Sequence, residues 1–106
     1  MKPVLYGYQV IEAGTAPEAV RAGQTTFRHY AIREGFALGP VFVQRRTDAP
    51  GAALEAVIRA AKRFPMAVVA VPTRDDLGRS PGSRWLTRYL LLREAGVRVL
   101  VAERRS

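Results

Sequence analysis

The ten residues Val71–Ser80, VPTRDDLGRS, crowd two carboxylates, two guanidinium groups and two hydroxyls around one glycine. They leave an apolar run, Ala67–Val71, and Glu12 ends a similar run that begins at Val4. Several chemistries are open to such a set. Glu12, Asp75 and Asp76 could converge on Mg²⁺, a hard cation that prefers carboxylate oxygen. Arginines can hold a phosphate and stabilise charge as it develops. A structural role is the plainest. Asp75 and Arg79, four residues apart, then pair with each other or cap the next helix, and Glu12 is a solvated carboxylate ahead of a helix N-terminus, where negative charge is mildly favourable. On residue types alone the structural role is preferred for all three.

Composition narrows the choice. The chain has 106 residues, enough for a single domain with one modest core. It has no cysteine, so disulfides, cysteine nucleophiles and cysteine-ligated metals are excluded. A single histidine, His29, argues against a His-rich metal centre or a Ser-His-Asp triad. Neither a Gly-x-Gly-x-x-Gly pattern nor a P-loop is present, so no motif supports nucleotide binding, and no cofactor is expected. No apolar run approaches the ~20 residues that span a bilayer, and MKPVLYGYQV lacks the apolar core of a signal peptide, so a cytoplasmic or nucleoid-associated location is expected. Net charge is +8, carried almost wholly by arginine. That balance suits polyanions. The arginines are scattered, however, and arginine beside abundant alanine and glycine also follows from a GC-rich genome.

The elements that must position these residues follow from hydrophobic period. Val4–Ile11 reads as a first strand, followed by the loop EAGT. Thr15 is the expected cap of a first helix with Pro17 in its opening turn, Gly35 as its stop, and Ala19, Val20, Gly23, Phe27, Tyr30 and Ala31 on one face. His29 falls on the outer face beside Arg28. A second strand covers Leu38–Gln44, interrupted early by Gly39-Pro40. After RRTDAPG comes the clearest amphipathic helix, with Ala53, Leu54, Val57, Ile58 and Ala61 inward and Glu55, Arg59, Lys62 and Arg63 outward. Ala67–Val71 has the short, continuous apolar character of a central parallel strand. A third helix spans Gly82–Ala95, capped by Ser80 or Ser83. Its inward arc is expected to hold Trp85, Leu86, Tyr89, Leu90 and Leu92, with Leu91 pointing away toward an oligomer surface. Val97–Ala102 is the last strand. Tyr6 and Tyr8 alternate with Leu5 and Gly7 and are explained by packing.

Strands alternating with helices predict a flavodoxin-like α/β domain: a four-stranded parallel sheet in the order 2-1-3-4, with three main helices on its two faces. Ligands of such sheets bind beyond the carboxyl ends of the strands. EAGT and PTRDDLGRS leave those ends near the centre, so any site belongs between them.

At these two loops the chain resembles the catalytic domain of the serine recombinase (resolvase/invertase) family. The pieces GYQVIE, YAIREGF, VFVQ, VVAVPTRDDLGRS and REAGVRVLVAE occur in the family's order and cover nearly the whole chain. Family members carry Gly-Tyr-x-Arg-Val-Ser in the first strand, where the serine attacks a DNA phosphodiester, and Asp-Arg-Leu-Gly-Arg after the third. The resemblance implies that arginines stabilise the phosphate while the phosphoserine link forms. Matched position by position, the first-strand arginine falls on Val10 and the nucleophilic serine on Glu12. Asp75, Leu77, Gly78 and Arg79 match, and the arginine after the aspartate becomes Asp76. The family's arginine at the start of the second helix has no counterpart in Pro50–Leu54. Arg45 and Arg46 could replace it only if their loop folds back.

These departures change the sign of the pocket. Two like charges about 4 Å apart cost on the order of 4 kcal/mol near a protein surface. Carboxylates at Glu12 and Asp76 should therefore repel a phosphodiester, and the expected pocket is inactive for strand exchange. Ser80 and Ser83 do not match the nucleophile. Phosphate contacts, if any, would come from Arg45, Arg46, Arg74 and Arg79. The family's long dimerisation helix and helix-turn-helix domain have no counterpart before Ser106, so one resolvase-like domain over 1–106 is expected, with no carrier of sequence-specific DNA recognition. The resulting expectation is an inactive, recombinase-derived module that binds a protein partner, itself, or DNA weakly and without specificity. No membrane or small-molecule substrate is implied. The alternatives are an active or accessory recombinase, or an Mg²⁺-dependent nuclease. The latter has a precedent in Toprim-type domains, although their acidic pair is split by one residue and this one is adjacent.

Overall fold

The computed structural model describes residues 2–45, 47–64 and 66–102. Four strands, β1 (Val4–Ile11), β2 (Ala37–Arg45), β3 (Val68–Val71) and β4 (Arg98–Val101), alternate with three helices, α1 (Pro17–Glu34), α2 (Ala52–Ala61) and α3 (Pro81–Ala95). A 3₁₀ turn, Arg74–Leu77, interrupts the loop after β3. The sheet is parallel throughout, in the order β2-β1-β3-β4. This is the predicted topology.

The order dictates where the helices go. Stepping from β1 to β2 moves one way across the sheet, whereas β2 to β3 and β3 to β4 move the other way. Crossovers of one hand then place α1 on one face and α2 and α3 on the opposite face. The two cores show this division. Leu5, Val68, Ala70 and Ala102 of the sheet region pack with Phe27 and Ala31 of α1. Tyr6, Tyr8, Val69 and Val71 pack with Ala53, Val57 and Ala61 of α2 and Leu91 of α3. Alternate residues of β1 and β3 thus serve opposite faces, which explains why all four residues of β3 are buried. Gly7 is needed where it stands: a Cβ there would lie 2.8 Å from the ring of Phe27.

Gly39-Pro40 interrupts pairing as expected. Leu5 pairs with Leu38 and Gly7 with Val41, so two residues of β2 oppose one of β1. β2 lies at the sheet edge, where a proline without N–H is tolerated. In α2, Ala53, Val57 and Ala61 are buried, Leu54 and Ile58 are half-buried, and Arg59 pairs outward with Glu55 at 3.5 Å.

Three local expectations are corrected. The N-cap of α1 is Ala16, not Thr15, and no side chain caps it. The Thr15 hydroxyl instead donates back to the Glu12 carbonyl at 2.7 Å. Ala19 is exposed, because α1 approaches the sheet only from Gly23 onward. The third correction is larger. α3 is turned so that Leu91 is its buried residue, at 0% exposure, while Trp85, Leu86, Tyr89 and Leu92 face outward. The widest apolar arc was expected inside. The helix is anchored instead by a narrower row, in which the Thr87 hydroxyl donates to the Leu77 carbonyl at 2.7 Å beside Leu91.

Candidate functional site

β1 is where strand order reverses, so the loops after β1 and β3 diverge to opposite faces and leave a crevice between them. A cavity of about 500 Å³ lies there, lined by Val10, Glu12, Thr73, Asp75, Asp76 and Arg79. Both loops singled out in the sequence meet in it.

Asp76 is the residue that joins them. β1 pairs with β3 only as far as Gly7↔Ala70, so the Val10 N–H on that side has no strand partner. A backbone donor in a partly buried position needs one. Asp76 Oδ1 accepts it at 3.0 Å. Asp76 Oδ2 accepts from the Thr73 N–H at 3.1 Å and the Thr73 hydroxyl at 3.0 Å, closing the first turn of the 3₁₀ segment. Both carboxylate oxygens are therefore engaged. Nearby, burial pushes the Tyr8 phenol above its usual value of 10.0, and repulsion from the Asp76 carboxylate adds to the effect.

Arg79 pairs with Glu12 across the mouth of the crevice. This replaces the expected Asp75–Arg79 pair, and Glu12 is not a merely solvated carboxylate. Ser80, not Asp75 or Arg79, caps α3: its hydroxyl accepts the Ser83 N–H at 3.1 Å, and Ser83 Oγ accepts the Ser80 N–H at 3.1 Å. Gly78 makes the junction possible. Its φ is 153°, and a Cβ would come within 2.9 Å of the Arg84 backbone nitrogen. A side chain is excluded by both conformation and space.

Of the expected phosphate ligands, Arg79 lines the crevice, whereas Arg45 and Arg74 lie outside it. Arg45 lines an adjoining groove with Gln44, Asp48, Pro50 and Gly51, which Val10, Ile11 and Glu12 also border. Arg74 lies on the other side of the 3₁₀ turn with Thr73, Asp75 and Arg84. Arg46 lies outside the described residues. Two residues went unnoticed in the sequence. Gln44 organises the loop after β2: its Oε1 accepts the Ala53 N–H at 2.9 Å, and its Nε2 donates to the carbonyls of Arg45 and Ala49. Arg84 donates to the Gly78 carbonyl at 3.3 Å. Gln44 closes the piece VFVQ and Arg84 lies in no motif; the topology brings Gln44 to the adjoining groove and Arg84 to the groove beside the 3₁₀ turn.

Among the described residues no group of three His, Cys, Asp or Glu side chains is arranged to hold a metal ion. Asp76 is held by backbone donors and Glu12 by Arg79, so the acidic trio of the nuclease alternative does not converge. A second groove of about 530 Å³ runs along α1, lined by Ala22, Thr25, Thr26, His29, Tyr30, Arg33 and Ala102. It contains no carboxylate and lies away from the strand-order reversal, so the smaller crevice is the better candidate site.

No protein-family model and no curated protein sequence matches this chain. The fold is similar to that of a solved structure, the C-terminal catalytic domain of ISC1926 TnpA, an IS607-like serine recombinase. The TM-score is 0.74, with 16% identity, over 96% of this chain and 71% of that one. The architecture is therefore similar to that of a serine recombinase catalytic domain. Among the described residues no helix is long and apolar enough to cross a membrane.

Proposed function

We propose that this is a recombinase-like domain whose pocket is silent in strand exchange and which acts by binding, as a protein-interaction or DNA-associated regulatory module. The observation that carries this reading is the Glu12–Arg79 pair. By the family resemblance Glu12 occupies the position of the nucleophilic serine, and Arg79 is the one arginine retained in the matched motifs. A carboxylate there supplies no hydroxyl to attack phosphorus, and it neutralises the cation that would hold the phosphate. Asp76, at the position of another family arginine, is occupied in fastening β1 to the loop.

DNA contact under this reading is peripheral, from Arg45 and Arg74 outside the crevice. Two phosphate contacts give a shallow dependence, with a log–log slope near about −2 against salt. The test of silence is a cleavage assay on supercoiled DNA, with and without Mg²⁺, followed by denaturation to trap covalent protein–DNA adducts. Neither nicking nor adduct is expected from the native chain. An adduct, or Mg²⁺-dependent nicking abolished by Glu12→Ala, would overturn the proposal.

A further inference from the structure

The groove along α1, at about 530 Å³, has the size of a small-molecule site. From Ala22 to Arg33 its lining follows one side of the helix for three turns, roughly 16 Å. Arg33, His29, Thr25 and Tyr30 all bring hydrogen-bond donors to it, and none of its described lining residues carries a carboxylate. His29 and Arg33 stand one turn apart as neighbours on the helix surface. Arg33 is held in place. Its guanidinium carbon sits 5.2 Å from the centre of the Tyr30 ring. That ring lies nearly parallel to Phe36, with 7° between planes and 6.4 Å between centres, and both rings pack on the core beneath α1. Ordering a long side chain is part of the cost of binding, and here Arg33 is ordered by the fold itself. The Thr26 hydroxyl is engaged within the helix, donating to the Ala22 carbonyl at 2.9 Å. Ala22 and Ala102 set an apolar patch beside the donors.

We propose that this groove binds a small phosphate monoester. The phosphate sits against Arg33 and His29, the Thr25 and Tyr30 hydroxyls donate to it, and the organic body lies on Ala22 and Ala102. The proposal is independent of what the crevice does. A monoester phosphate carries close to two negative charges and three strong acceptor oxygens. Donors from four separate side chains match three oxygens better than the two of a planar carboxylate. Hydrogen bonds from a guanidinium to such oxygens are charge-assisted, and so among the stronger ones. The backbone of a DNA duplex fits less well. It presents a row of phosphates and is met by a row of cations, whereas the groove offers one arginine. Arg28, although adjacent to His29 in sequence and exposed, does not line the groove.

His29 is the only histidine, so its ring proton resonances report this groove directly. The probes are propyl phosphate, dipropyl phosphate as a diester, butyrate as a carboxylate, and a short DNA duplex, each titrated at constant pH and ionic strength. Propyl phosphate should shift the His29 resonances along a saturating curve, with half-saturation at about 1 mM or below. The diester and butyrate should bind at least about tenfold more weakly, having less charge and fewer terminal oxygens. Arg33→Gln, at an exposed position, should weaken propyl phosphate binding about tenfold or more. Thr25→Val should weaken it severalfold, and Arg28→Gln, outside the groove, should leave it unchanged. Unfolding curves matching the native chain show that the variants fold. A shift that grows linearly without saturating would overturn the proposal. So would equal losses in Arg28→Gln and Arg33→Gln, which would trace the effect to net charge alone. Butyrate binding as tightly as propyl phosphate would also refute it. A saturating His29 shift with the diester or the duplex, tighter than with the monoester, would assign the groove to nucleic acid instead.

Discussion

Asp76 accepts three hydrogen bonds because β3 ends before β1 does. The Val10 amide would otherwise be an unpartnered donor, and the Thr73 amide the open start of a turn. Asp76→Ala should therefore destabilise the domain by about 1–3 kcal/mol, the usual cost of stranding such donors. Asp76→Arg, which introduces the arginine that the family resemblance implies at this position, should cost at least as much, so the change the resemblance suggests for chemistry conflicts with stability. Chemical denaturation checks both; wild-type stability in either variant would contradict the fastening role. Tyr8 gives an independent readout of the same carboxylate. Its folded pKa is raised, first by burial and then by Asp76. A raised value means that the phenol's contribution to stability is complete below pH 10 and is lost as pH climbs through the folded value. In Asp76→Asn the repulsion is gone, and Tyr8 should titrate partway back toward its usual range. Ultraviolet difference titration, with Tyr8→Phe to identify the step, measures this.

At the scale of elements, α3 shows what periodicity can and cannot reveal. The strands, their order and the amphipathic α2 were legible because each buries a continuous or regularly spaced apolar set, and a parallel sheet admits few arrangements of them. The face of α3 was not legible. Trp85, Leu86, Tyr89 and Leu92 outweigh Leu91 in apolar surface, so an arc count points the wrong way. What fixes the helix is tertiary: the Thr87 bond to the 3₁₀ turn and the closeness of Gly78 to Ser83 and Arg84. Leu91→Ala should accordingly cost about 2–5 kcal/mol. Trp85→Ala, at an exposed position, should change stability by no more than about 0.5 kcal/mol. Thermal or denaturant unfolding of the pair decides the orientation; reversed magnitudes would contradict it. The candidate site was legible in part. Its two loops could be placed from topology and resemblance, but the partner of Arg79 could not, because Asp75 is nearer in sequence and Glu12 is nearer only in space.

At the scale of the whole molecule, an excess of cations surrounds a crevice whose own arginine is neutralised. Exposed ion pairs contribute only about 0–1 kcal/mol to folding, so the Glu12–Arg79 pair matters for what the crevice can bind more than for stability. Glu12→Gln should leave the fold intact while freeing one guanidinium for phosphate. The most direct measurement is the affinity of native and Glu12→Gln chains for one short DNA duplex across a salt series. Tighter binding by Glu12→Gln is expected, with a log–log slope steeper by about 1, the signature of one added phosphate contact. Identical affinity and slope in the two chains would mean that Glu12 does not withhold Arg79 from phosphate, and the account of a neutralised pocket would fail.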